Sequence, residues 1–81
     1  MPRIDPPPDW VLQRRRVIGD RIRAARRDRG MSQERLAELA GMDRQAVGKL
    51  ELGYTSPLLD TLLRIADVLD VELSDLVRRK E

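Results

Sequence analysis

Ser32-Gln33-Glu34-Arg35-Leu36-Ala37-Glu38-Leu39-Ala40, then Gly41, then Met42-Asp43-Arg44-Gln45-Ala46-Val47-Gly48-Lys49-Leu50-Glu51-Leu52: the punctuation of these residues decides the fold. Ser32 suits the N-cap of a first helix, with Gln33 and Glu34 in the opening turn. Gly41 can end that helix in the left-handed conformation, which a Cβ would penalise. Asp43 can then cap a second helix almost at once. So short a turn makes the two helices cross steeply, and Ala37 is small enough to let them approach. Leu36, Ala40, Val47 and Leu50 fall on the faces that turn inward.

Working outward, residues 1–8 carry four of the five prolines and form an extended arm rather than a helix. Asp9 follows Pro6-Pro7-Pro8 and can cap a helix beginning near Trp10. From there to Arg29 no proline intervenes, and Trp10, Val17, Ile18, Ile22 and Ala25 recur at roughly helical spacing, with Gly30 as the stop. One long rod and a rod broken near Arg14–Arg16 both satisfy this pattern. Towards the C-terminus, Ser56-Pro57 reads as a cap followed by a first-turn proline. Leu58, Leu59, Leu62, Leu63, Ile65, Ala66 and Leu69 give the next helix a broad apolar stripe. After the turn Asp70-Val71-Glu72, a last short helix is marked by Leu73, Leu76 and Val77. The reading is five helices, no strand pattern and no internal repeat. Residues 1–16 are assigned to the arm and an extension of the first helix, 17–78 to the helical domain, and 79–81 to a polar tail.

Eighty-one residues suffice for one small core. With no Phe, one Trp and one Tyr, that core must be aliphatic. No cysteine means no disulfide framework and no thiolate metal site. There is no signal peptide and no apolar run long enough to span a bilayer, so a cytoplasmic protein with no membrane partner is expected. Without His, Cys, a metal-ligand cluster or a phosphate-binding glycine loop, no enzyme and no cofactor is expected either. The net charge of +2 is unevenly placed: residues 1–30 hold nine arginines against four aspartates. Such a basic half suits a polyanion, although a solvated helix surface explains the same residues.

A helix, a tight turn and a second helix within an all-α chain form the layout of a DNA-binding helix-turn-helix. With these elements in place the chain resembles the lambda-repressor/Cro-like, or XRE, family of DNA-binding domains, from about Ile18 to Val77. The resemblance rests on Ile18-Gly19-Asp20-Arg21-Ile22-Arg23, Gly30-Met31-Ser32-Gln33-Glu34, Leu36-Ala37, Ala40-Gly41, Leu50-Glu51-Leu52-Gly53, Pro57 and Leu62-Leu63-Arg64-Ile65-Ala66. No single piece is diagnostic; their joint spacing is.

The resemblance implies that the helix after Gly41, about residues 43–52, is a recognition helix lying in the major groove. Arg44, Gln45 and Lys49 are then the candidates for base readout, since Arg pairs with guanine O6 and N7, and Gln with adenine N6 and N7. Lys49 is a candidate for a base edge or a nearby phosphate. Ser32 and Gln33 are expected to hold the DNA backbone at the start of the preceding helix, Gln33 through its side chain and its amide. The resemblance also implies an ion pair between Arg26 and Glu51. That pair either orders Arg26 towards phosphate or simply links two helices. Asp43 is expected to cap the recognition helix.

Three residues depart from the family's pattern. Gly48 sits inside the recognition helix, Asp43 places a carboxylate near the groove, and Leu52 stands where relatives often carry a polar residue. Outside the shared core, Arg3 and the arm invite a minor-groove contact, while Trp10 invites either docking on a second protomer or packing on its own helix. The expected function is a sequence-specific transcriptional regulator, a repressor binding a palindromic double-stranded operator as a homodimer. The alternative is a protein-interaction module, such as an antitoxin-like partner of a toxin, in which DNA binding is secondary or lost.

Overall fold

Pro8 holds extended backbone (φ −67°, ψ 162°), and its carbonyl accepts the amides of Val11 at 3.0 Å and Leu12 at 3.2 Å to start α1, Asp9–Asp28. The computed structural model describes residues 6–79; Arg3 and the last two residues of the polar tail lie outside them. Asp9, read as a cap, is instead the first helical residue, where its carboxylate meets the positive end of the helix dipole. The helix is a single rod of 20 residues that passes through Arg14–Arg16 without a break. It is followed by α2 (Gln33–Ala40), α3 (Arg44–Glu51), α4 (Leu59–Leu69) and α5 (Leu73–Val77). The described residues are all-α, as the sequence predicts.

One local device ends four of these helices. After α2, Gly41 takes φ 70°, ψ 40°, and the Met42 amide reaches back to the Ala37 carbonyl at 2.9 Å. The same backward bond closes α1 beyond Gly30, α3 beyond Gly53 and α4 beyond Asp70. Asp70 (φ 55°) is the one non-glycine with positive φ among the described residues. The start of α4 differs from expectation. Ser56-Pro57 does not open the helix; Leu58 holds the cap position and its carbonyl accepts from the Leu62 amide at 3.1 Å. Pro57 lines a small hollow with Ile18, Leu50 and Leu62, and the chain coils only two residues further on, at Leu59.

The core is aliphatic, with Ile22, Leu36, Val47 and Ile65 wholly inaccessible and Ala37, Ala40, Leu50, Ala66, Leu69 and Leu76 packed around them. All four residues expected to turn inward around the tight turn do so. Gly19 lets α1 lie directly on the end of α3: a Cβ there would stand 2.5 Å from the carbonyl oxygens of both Leu50 and Glu51. The apolar stripe of α4 is wider than its neighbours cover. Ile65, Ala66 and Leu69 are buried, whereas Leu58, Leu59 and Leu63 are exposed. Trp10, 65% exposed, does not cover α1.

Part of the basic run has an architectural use. The guanidinium of Arg15 donates to the Gly53 carbonyl at 3.1 Å, at the end of α3. Arg14 donates to the Val77 carbonyl at 2.8 Å and Arg21 to that of Arg78, both at the end of α5. Cations placed on the free carbonyls of helix C-termini satisfy acceptors and oppose the helix dipole.

Candidate nucleic-acid interface

The tight turn Gly41–Asp43 joins α2 to α3, and the Gln33 carboxamide at the start of α2 reaches across to Glu51 and the neighbourhood of Gly48 on α3. At the α2 start, the Ser32 hydroxyl accepts the Arg35 amide at 3.0 Å, so Ser32 is a true side-chain cap. The amides of Gln33 and Glu34, in the first turn of that helix, have no intrahelical acceptor. At the α3 start, Asp43 occupies the cap position (φ −78°, ψ 146°), but its carboxylate accepts no amide and stays in solvent. The capping bond expected of Asp43 is therefore absent, and the first amides of α3 keep their hydrogen-bonding capacity.

Arg44, Gln45 and Lys49 are exposed on α3, and none is engaged in a side-chain hydrogen bond or ion pair among the described residues. Gly48 lies one turn beyond Arg44 and Gln45 on the same helix face. Leu52, where relatives often carry a polar residue, presents an exposed apolar side chain.

Behind this face lies a buried charged cluster centred on Glu51. Arg26 approaches it bidentately, Nε to Oε2 at 2.7 Å and Nη2 to Oε1 at 3.0 Å, and donates through Nη1 to the Met31 carbonyl at 2.7 Å. Arg26 is 7% exposed and Glu51 2%. The hydrogen bond to Glu51 raises the Arg26 pKa, desolvation opposes it, and the attraction of the carboxylate adds to the rise. The guanidinium is thus turned inward rather than towards solvent. Gln33 Nε2 donates to Glu51 Oε1 at 3.1 Å, bringing α2 into the same cluster. Arg23, whose side chain is 39% exposed, lies with its Nε 3.9 Å from Glu51 Oε1.

The geometry brings Ser32, Gln33, Arg44, Gln45 and Lys49 to the elements around one turn and puts Arg26 and Glu51 beneath them. Arg23 was not singled out by sequence reasoning as a site residue. Its signal was available: it precedes Arg26 by three positions and so shares the face of α1 that meets Glu51.

Residues 22–76 match the Helix-turn-helix family. The chain belongs to this family. A prophage-derived HTH-type transcriptional regulator of Bacillus subtilis is 36% identical over 62 residues, 76% of this chain and 57% of the regulator. The immunity repressor protein of Bacillus phage phi105 is 35% identical over 61 residues, 75% of this chain and 42% of the repressor. The chain thus spans about half the length of these curated relatives. Among solved structures, the restriction-modification controller protein C.AhdI of Aeromonas hydrophila superposes with a TM-score of 0.77 at 38% identity. That match covers 80% of this chain and 94% of the controller.

Proposed function

We propose that this protein is a sequence-specific, double-stranded DNA-binding transcriptional regulator, a repressor that sets α3 into the major groove. One observation carries the reading. Three side chains suited to base edges and phosphate, those of Arg44, Gln45 and Lys49, stand exposed on α3 and unengaged among the described residues, on the helix that the start of α2 touches through Gln33. Arg44 and Gln45 read bases, and Lys49 reads a base edge or holds a neighbouring phosphate. Ser32 and Gln33 hold the DNA backbone at the α2 start, where free amides and the helix dipole favour an anion. Arg23 supplies a further cation at that edge. Arg26 acts on phosphate indirectly, by holding Glu51 and through it Gln33. The protein works at nucleoid DNA in the cytoplasm.

A single recognition helix reads only a few base pairs. A homodimer on a palindromic operator, with its recognition helices about 34 Å apart, supplies the missing selectivity. A second reading is favoured by one observation: Leu58, Leu59 and Leu63 leave an apolar surface at the start of α4. A toxin or another protein partner covers that surface if the chain is an antitoxin-like module.

Selection from a random duplex library, followed by titration of the winning site at several salt concentrations, tests the proposal. An enriched inverted repeat bound by two copies, with affinity falling as salt rises, is the expected result. Equal binding to every duplex, or none at low salt, would overturn sequence-specific regulation and favour the partner-binding module.

A further inference from the structure

Gln33 belongs to α2, yet its carboxamide is held against α3. Glu51 fixes which way round it stands. A carboxylate in an ion pair accepts and cannot donate, so the group facing it at 3.1 Å must be the Gln33 NH₂. The carboxamide oxygen is thereby directed away from Glu51, and it lies 3.9 Å from where a Cβ of Gly48 would be. Position 48 shares a helix face with Arg44 and Gln45, one turn earlier. Gly48 leaves a gap in the row of side chains that α3 would otherwise present, and an acceptor supplied by α2 stands beside that gap.

We propose that Gln33 is a specificity-determining residue: its side-chain oxygen takes the place that Gly48 leaves empty and accepts a hydrogen bond from a base amine in the major groove. Resting on the DNA-binding reading above, the inference gives Gln33 a side-chain task beyond the backbone. Phosphate oxygens carry no proton to offer an acceptor, so this oxygen has no use for the DNA backbone. Major-groove amines, adenine N6 and cytosine N4, have such a proton. One N–H of Nε2 is committed to Glu51 and the other stays free, so the inference needs only the single bond that Oε1 accepts. Glu51 is the positioning residue and Arg26 holds Glu51. The missing side chain of Gly48 is what leaves room for the arrangement.

The test begins with the duplex that the wild-type protein selects, and with its single-base-pair variants. Affinities are measured for the wild type, Gln33→Ala, Gly48→Ala and Gly48→Leu, each confirmed as folded by circular dichroism melting. In Gln33→Ala, a preference of about fivefold to tenfold for an amine-bearing base at one position is expected to disappear, with the other positions unchanged. Gly48→Ala is expected to keep it, since a methyl at 3.9 Å makes ordinary contact. Gly48→Leu fills the gap, displaces the carboxamide and loses the same preference as Gln33→Ala. Equal weakening of every duplex by Gln33→Ala, or a full preference retained in either Gln33→Ala or Gly48→Leu, would overturn the inference while leaving the regulator reading intact. Failure of the wild type to select any sequence would overturn both. Whether the preferred base is adenine or cytosine is read directly from the wild-type profile.

Discussion

A methyl group at position 19 would meet two backbone carbonyl oxygens at 2.5 Å, and neither can move without unwinding the end of α3. Gly19→Ala is therefore expected to lower stability by about 3 kcal/mol, the upper end of what overpacking typically costs. Urea denaturation, with the midpoint shifted and the slope unchanged, checks it. The run Ile18–Arg23 belongs to the family pattern, but helix propensity gives Gly19 itself no purpose. It sits in a helical pattern where alanine would be the better helix former, and only the approach of α3 gives the absence of a side chain a purpose. Arg44 is the opposite case, an exposed residue with no protein partner among the described residues. Arg44→Ala is expected to leave the melting temperature nearly unchanged. It should cost about 1–3 kcal/mol of affinity at the preferred site and blur discrimination at one base pair. A melt and a titration panel separate the two effects.

At the scale of elements, α1 carries arginines with two different tasks. Arg14, Arg15 and Arg21 tie down the C-terminal ends of α5 and α3, whereas Arg23 stands partly exposed beside Gln33 and Glu51. Arg15→Ala is expected to lose about 1 kcal/mol of stability, the net worth of a hydrogen bond, without changing the salt dependence of DNA binding. Arg23→Ala is expected to do the reverse: little change in stability, similar weakening on all duplexes, and a log–log salt slope reduced by about one for each bound protomer. Parallel melts and salt titrations of both variants check the contrast. The excess of arginine was legible as charge, but a count of charges cannot tell a helix-end clamp from a phosphate contact. The stripe on α4 makes the same point with apolar residues. Leu58, Leu59 and Leu63 read like Ile65 and Leu69, yet they are left in solvent because no neighbouring helix reaches them.

For the molecule as a whole, Glu51 joins α1, α2 and the end of α3 through Arg26 and Gln33. Glu51→Ala leaves a buried guanidinium without its counter-ion and is expected to cost about 3–5 kcal/mol, a large part of the stability of so small a domain. Replacing both partners, as Arg26→Met with Glu51→Leu, is expected to recover most of that loss, because buried ion pairs exchange for apolar pairs at little net cost. Thermal melts of the single and double variants check this.

The five helices, the tight turn at Gly41 and the inward residues Leu36, Ala40, Val47 and Leu50 were determined by the sequence by itself. Caps, glycine stops and the 3.6-residue period are local, so neighbouring residues suffice to specify them. The family resemblance named Arg44, Gln45, Lys49, Ser32 and Gln33 as candidates through a spacing that is also local. Only the tertiary structure decided that Arg26 faces inward, that Asp43 forms no capping bond, that α4 starts at Leu59, and that the Gln33 carboxamide lies beside the gap at Gly48. Each depends on which groups from distant parts of the chain come within hydrogen-bond or contact distance. Charge and polarity along the chain do not encode that proximity; the packing of helices against one another does.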